Sequence, residues 1–379
     1  MLHRDTDAIL AQSGMPGAGG AMSADDSFAQ PQFTLPQADK EARLLHGLTE
    51  AIRHHCAGCP PYAALVHALY PHWQDSAQLT ALPMVPASLF KSMTLSTQTG
   101  RPTVTTLTSS GTSGRAVSRI SVDGETADRQ AKAMSAALQP VLGRQRLPML
   151  IIDSQTVLGG GGRINARAAG ILGLMRFGRD HVFALNEAME CDTTAIDGFL
   201  SRHGQAPFLM FGFTFMVWAH FFETIRHRGL DLSHGILVHG GGWKSMIDRR
   251  VDNAVFRSAF QTSTGLRHIH DFYGMAEQMG TLFVEGDDGL LYAPDFADII
   301  IRDPVTLAPL PVGETGVIQV LSLVPRSYPG NSVLTEDMGV VVHVDQPASA
   351  GRLGKAFRVL GRIPRSEIRG CGDTFAQGG

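Results

Sequence analysis

The sequence predicts an α/β protein: a layered α/β core followed by a β-rich closing subdomain. Three observations predict it. Between residues 103 and 274, short β-prone apolar runs alternate with helical stretches, the pattern of a sheet covered by helices. From about residue 281 the helices give way to short strands divided by Gly, Pro and Asp. The chain has 379 residues, 44% hydrophobic and 18% charged, enough apolar side chain to bury a large core. The expected organisation is a flexible N-terminal arm over 1–40, the α/β core over 41–280, and the β-rich subdomain with a C-terminal tail over 281–379.

Each element has a local reason. Residues 1–40 are rich in Gly, Ala, Ser, Gln and Asp without a clear apolar period, hence the arm. Leu44, Leu45, Leu48 and Ile52 then repeat at helical spacing. Residues 118–123 (SRISVD) read as a strand, and Glu125 to Leu138 as a helix with Asp123 as its cap. Strands follow at 147–153, 207–213, 235–242 and 267–274, with helices expected over Phe215 to Arg228 and Ser245 to Ser258. Beyond 281, TLFVE, LLYAP, FADIIIR, TGVIQVLSL, GVVVHV and AFRVL are the expected strands.

Composition excludes several classes. The net charge is -3, so no basic surplus points to nucleic acid or an anionic membrane surface. No apolar run reaches about eighteen residues, so no membrane span is expected. The N-terminus lacks the apolar core of a secretory signal, which makes a cytoplasmic location the expectation. Four cysteines, Cys56, Cys59, Cys191 and Cys371, are too sparse for a disulfide framework. His54 to Cys59 offers one Cys pair without a second, so it reads as a helix end and no zinc is expected. Gly159 to Gly162 reads as a flexible loop.

The strongest local signal is Thr108-Ser109-Ser110-Gly111-Thr112-Ser113-Gly114. Small hydroxyl side chains and glycines let backbone N–H groups converge on an anion, and the expected ligand is a polyphosphate. It is not the P-loop, because Arg115 stands where no lysine follows. A solvated Ser/Gly linker is the competing reading, weakened by the β-prone segments on either side. Downstream, His239-Gly240-Gly241-Gly242-Trp243-Lys244 closes a strand with glycines that let a flat ring lie against backbone, or that make a tight turn. Asp271-Phe272-Tyr273-Gly274-Met275-Ala276-Glu277 closes the next strand; an aromatic face suits a purine and a hard carboxylate suits Mg²⁺. Taken alone, these two residues also read as a core aromatic and a surface carboxylate.

Together these segments resemble the adenylate-forming superfamily, which includes acyl-CoA synthetases and firefly luciferase, over roughly residues 85–370. The resemblance implies that Thr108 to Gly114 holds the ATP phosphates. Gly240, Gly241 and Gly242 then line the adenine and acyl pockets, Tyr273 stacks on adenine, and Glu277 binds Mg²⁺. Thr335-Glu336-Asp337 resembles the family's Thr-Gly-Asp element, which makes Asp337 the ribose ligand. Gly361-Arg362 resembles the pair before the family's hinge. Phe211, Phe213 and Phe215 alternate along a strand end, and with His239 they suggest an acyl pocket; core packing is the alternative for the phenylalanines.

The length resembles one branch: the acyl-protein synthetases of bacterial bioluminescence, relatives of phenylacetate-CoA ligase. Pro86 to Lys91, Thr108 to Gly114, Phe211 to Phe215, His239 to Lys244 and Arg369 to Gly372 carry that likeness. The chain ends at Gly379, so the small C-terminal domain with its adenylation lysine is expected to be lacking. Of the five lysines, Lys244 and Lys355 fall near the assigned elements, and Lys244 is the catalytic candidate. Cys371 lies between glycines, with Arg365 and Arg369 upstream favouring thiolate. The resemblance implies ATP- and Mg²⁺-dependent activation of a fatty acid as acyl-AMP, transfer to Cys371 as a thioester, and delivery to an acyl reductase. The alternatives are direct transfer to coenzyme A or a carrier protein, or a non-catalytic nucleotide-binding subunit of a reductase complex.

Overall fold

A computed structural model describes residues 24–98, 100–108, 118–159, 166–242, 251–346 and 351–363. Its helices are α1 (Ala24–Ala29), α2 (Gln37–Gly58), α3 (Pro60–Leu69), α4 (Leu89–Ser92), α5 (Gly124–Leu142), α6 (Ala166–Met175), α7 (Thr193–His203), α8 (Thr214–Met216), α9 (Glu223–Ile225) and α10 (Asn253–Thr264). Its strands are β1 (Val85–Pro86), β2 (Thr103–Thr108), β3 (Arg119–Asp123), β4 (Leu147–Ser154), β5 (Gly178–Leu185), β6 (Phe208–Phe213) and β7 (Gly235–Gly240). They continue as β8 (His268–Tyr273), β9 (Phe283–Glu285), β10 (Leu291–Tyr292), β11 (Ala297–Arg302), β12 (Thr315–Ser322), β13 (Ser332–Val344) and β14 (Lys355–Arg362). Among the described residues no helix is long and apolar enough to cross a membrane.

The expected α/β core and β-rich part share one sheet, in the order β11-β12-β13-β14-β10-β9-β8-β7-β6-β4-β5, with β1 pairing β13. Strands β5, β4, β6, β7 and β8 are parallel. At β9 the direction reverses, and β10, β14, β13, β12 and β11 continue antiparallel. The apolar side chains of β6 alternate in the way a pleated strand dictates. Leu209 and Phe211 enter one buried cluster, and Phe208 and Met210 enter the other on the opposite face.

Caps explain several boundaries. The Asp123 carboxylate accepts from Thr126 N at 2.8 Å and starts α5 where the sequence placed it. Helix α10 starts at Asn253, where Asp252 caps it by accepting from Val255 N at 2.8 Å; residues 245–250 of the expected helix lie outside the described residues. It also runs beyond Ser258 to Thr264 and stops at Gly265, whose φ of 73° suits glycine. The helix expected after Phe215 contains a π-helical turn over Val217–Phe222. Strand β5 carried no sequence signal: it is the edge strand beside β4, and Arg179 and Asp180 near its start are exposed.

Order begins earlier than the expected Lys40. Phe28 and Phe33 are buried, and the Asp295 carboxylate accepts from Thr34 N at 3.2 Å. Asp345 accepts from Gln37 N at 2.9 Å, and Lys40 itself is fully buried. Two aromatic anchors without a period are invisible to pattern reading, and their carboxylate partners lie more than 250 residues along the chain. Residues 1–23 of the expected arm lie outside the described residues.

This N-terminal attachment converges on Asp298. Its Oδ2 accepts from Lys355 Nζ at 2.8 Å and from Gln37 Nε2 at 2.7 Å, and Lys40 Nζ stands 3.8 Å from Oδ1. Burial alone would raise the Asp298 carboxyl, but Lys355, Lys40 and the hydrogen bonds hold it below its ordinary 3.8. Asp298→Asn leaves two lysines facing a neutral amide, which is expected to cost about 3–5 kcal/mol at pH 7 in urea unfolding. Because the folded pKa is depressed, this stabilisation is present above the unfolded value and lost as pH falls through the folded one. The gap between wild type and variant should therefore close in strong acid, as unfolding curves at a series of pH values would show.

Candidate functional site

The parallel strands β6, β7 and β8 end together, at Phe213, Gly240 and Tyr273. Carboxyl ends of parallel strands are where open α/β sheets bind ligands, above all where the order or direction switches. Strand β8 is that switch, since its other neighbour, β9, runs antiparallel through Tyr273↔Phe283. The β13–β14 ladder brings Asp337 opposite Arg362. The Tyr273 hydroxyl donates to Asp337 Oδ2 at 2.7 Å, and Arg362 Nε lies 3.8 Å from Oδ1. Phe283 and Phe357 flank the Tyr273 ring with centroids at 6.0 and 6.4 Å. Desolvation, and then the Asp337 charge, push the phenol well above its usual range, so it stays a hydrogen-bond donor. Desolvation also raises the Asp337 carboxyl, against the pull of Tyr273 and Arg362.

Glu277 sits in a 3₁₀ turn, Ala276–Gln278, between β8 and β9, and is 5% exposed. Its Oε1 accepts from the Ser118 hydroxyl at 2.5 Å. Ser118 immediately follows residues 109–117, so one foot of the hydroxyl-rich segment rests on this carboxylate. The other foot is Thr108, the last residue of β2, registered against Arg119 of β3. Ser109, Ser110, Gly111, Thr112, Ser113 and Gly114 lie outside the described residues. The turn itself is pinned by Gln278, whose Nε2 donates to Gly330 O at 2.7 Å and Val320 O at 3.2 Å. Behind it, Gly280 has φ 91°, and a Cβ there would stand 2.6 Å from the Gln130 backbone.

The glycines after β7 are close-approach positions. A Cβ on Gly240 would meet the Phe272 ring at 2.7 Å, and Gly241, at φ 83°, would meet Phe213 at 3.2 Å. Among the described residues, nothing lies within 4 Å of a Cβ built on Gly242. Of the residues expected to form an acyl pocket, Phe211, Phe213 and His239 are divided by the sheet. Phe211 is wholly buried against Phe213 and Phe272, at 5.8 and 6.5 Å between centroids. Phe213, partly exposed, lies beside Gly241 on that face. His239 instead packs on Phe256 of the opposite cluster at 4.6 Å. Strand alternation is the reason: odd positions of β6 and even positions of β7 share a face. Thr214 Oγ1 lies 3.0 Å from His239 Nδ1, and Asp271, its cross-strand partner, lies at 3.6 Å. Burial, with His270 and Arg257 nearby, lowers the imidazole to about 3, so it is neutral near pH 7.

Lys244 and Cys371 lie outside the described residues. Lys355 is committed to Asp298 and Glu41, at 2.8 and 3.5 Å, rather than to this cluster. Two partners escaped the sequence reading. Ser118 was readable only as a strand end, because nothing local links it to Glu277. Lys91 stands 3.5 Å from Glu336, the neighbour of Asp337, although the segment holding it had been singled out for its resemblance.

With the geometry in place, comparison with known proteins gives consistent results. Long-chain-fatty-acid–luciferin-component ligase of Aliivibrio fischeri is 24% identical over 306 residues, covering 78% of each chain. The protein of the same description from Vibrio harveyi is 26% identical over 159 residues, 40% of each chain. Among solved structures, 2-hydroxyisobutyryl-CoA ligase in an open conformation superposes with a TM-score of 0.63 at 14% identity, covering 87% of this chain and 71% of that one. At that identity the likeness concerns the fold, which is the adenylate-forming ligase fold expected from the sequence. The profile of the family "Acyl-protein synthetase, LuxE" matches residues 22–378, and the chain belongs to that family.

Proposed function

We propose that this protein joins a long-chain fatty acid to AMP at the expense of ATP and then passes the acyl group to Cys371 as a thioester. The observation that carries the reading is the convergence at one strand-end edge of Tyr273, Asp337 and Arg362 with Glu277 and the foot of the hydroxyl-rich segment. The relatives named as fatty-acid ligases support the substrate class.

In this reading Tyr273 and the Gly240–Gly242 turn hold the adenine, and Asp337 accepts from the ribose hydroxyls. Thr108 to Gly114 receives the phosphates. A substrate carboxylate oxygen attacks the α-phosphorus, the new O–P bond forms, and pyrophosphate leaves. Catalysis is positioning and charge neutralisation, since the protein forms no bond in this step. The carboxylate of Glu277, a hard oxygen donor, fits Mg²⁺. Mg²⁺ typically takes one or two carboxylates plus substrate phosphates. Glu277, with Ser118 holding one oxygen, is the carboxylate for it, and the ion would supply charge neutralisation on the phosphates. In the second step the Cys371 thiolate attacks the acyl carbonyl and AMP leaves. A partner acyl reductase is the proposed recipient of the thioester.

Two measurements test this. The isolated chain should catalyse ATP–pyrophosphate exchange that requires a fatty acid. Cys371→Ser should keep the exchange and lose the hydroxylamine-sensitive acyl-protein seen on a denaturing gel with labelled fatty acid. Labelling that persists in the variant, or that needs coenzyme A, would refute transfer to this cysteine. Glu277→Gln keeps an acceptor for Ser118 but removes the charge. It is expected to lower exchange about a hundredfold or more and to raise the Mg²⁺ concentration needed for half-maximal rate. An unchanged Mg²⁺ dependence would remove Glu277 from the metal's ligands.

A further inference from the structure

Lys91 lies on α4 and pairs with Glu336 of β13, the strand that carries Asp337. Strand β1 pairs parallel with β13 through Val85↔Val333 and Pro86↔Leu334, and Ala87 N donates to Leu334 O at 2.9 Å. Phe90, 1% exposed, packs edge-on against Tyr328 at 6.3 Å. These contacts hold α4 beside the start of β13. The Lys91 side chain is 33% exposed and its Nζ lies 3.5 Å from Glu336 Oε1, itself 40% exposed. Glu336 directly precedes Asp337, and its carbonyl accepts from Ile363 N at 2.9 Å, beside Arg362.

Three considerations give this lysine a role. A triphosphate is a polyanion, and its binding draws on cations at the rim of the site. Of the five lysines in the chain, Lys40 and Lys355 are engaged by Asp298, Lys132 lies on α5 beside Asp128 and Arg129, and Lys244 is outside the described residues. Lys91 is the described lysine paired with the residue next to Asp337. Its ion pair is also weak: an exposed pair at this distance contributes about 0–1 kcal/mol, so it breaks readily when a stronger anion arrives.

We propose that Lys91 is a phosphate-binding residue of the ATP site, parked on Glu336 until the triphosphate displaces that carboxylate. The assignment rests on the nucleotide reading above. Glu336 is then a built-in competitor: it keeps the ammonium at the rim and is exchanged for a phosphate oxygen on binding.

The test uses the full chain, with ATP as the probe, reading KM in pyrophosphate exchange and direct ATP binding by calorimetry. Lys91→Ala should raise KM for ATP about tenfold, the loss of one charge-assisted contact, with a smaller change in kcat. Lys91→Arg should stay within about threefold of wild type. Glu336→Gln should move the other way and lower KM, because the competitor is gone. A purely structural ion pair would instead make Lys91→Ala and Glu336→Gln shift KM in the same direction, or not at all, and either result overturns the assignment. If the wild-type chain neither exchanges pyrophosphate nor binds ATP, the nucleotide reading falls and the assignment falls with it. If wild type is active and Lys91→Ala has an unchanged KM, the assignment alone falls.

Discussion

The reversal of strand direction at β8 is the constraint on which the rest of the molecule depends. Five parallel strands reach the same edge, and the chain must then turn back within the nine residues between Tyr273 and Phe283 to pair antiparallel. That short return needs glycine at Gly280, because Gln130 leaves no room for a Cβ and φ is positive. It also needs Gln278 to tie the turn to the β12 and β13 region. The outcome is a buried carboxylate, Glu277, just beyond the end of β8. An aromatic donor, Tyr273, and an acidic turn are thus set by one backbone requirement.

The antiparallel half does two jobs through the same strands. Strand β13 carries Asp337 to Tyr273 near its middle, and Asp345, just past its end, meets the N-terminal segment. Strand β14 carries Arg362 at the site and Lys355 at the attachment point. Residues 24–40 are thereby coupled to the strands that frame the candidate site, through the carboxylates of Asp295, Asp298 and Asp345 and through the buried rings of Phe28 and Phe33. Buried charges are costly unless paired and hydrogen-bonded, and Asp298 meets that condition with two lysines and a glutamine.

Charge strength also grades the site. The Lys40–Asp298 pair deep in the fold is fully buried on both sides. The pairs of Lys91 with Glu336 and Arg362 with Asp337, at 3.5 and 3.8 Å, are partly exposed. A site that must admit a polyanion and later release AMP and pyrophosphate gains from such an arrangement. Rim groups exchange partners at low cost while the buried frame keeps its geometry. The neutral His239 fits the same division, as it lies under the sheet edge, held by Thr214, on the face opposite Phe211.

The layered core, most strands and the Asp123 cap were all legible from residue order. Their signals act within a few residues: a period of two or 3.6, a carboxylate three residues before an amide, a glycine where backbone approaches a ring. Strand β5 and the packed segment 24–40 were not legible, because an edge strand with polar ends and two isolated phenylalanines carry no period. The division of Phe211 and His239 between faces was beyond local reading as well, since it depends on how β6 and β7 are registered. Only the tertiary structure joined Tyr273 to Asp337, Ser118 to Glu277 and Lys91 to Glu336, across 64, 159 and 245 residues. Chain distance carries no information about such contacts; pairing in a sheet and the direction in which each strand runs decide them.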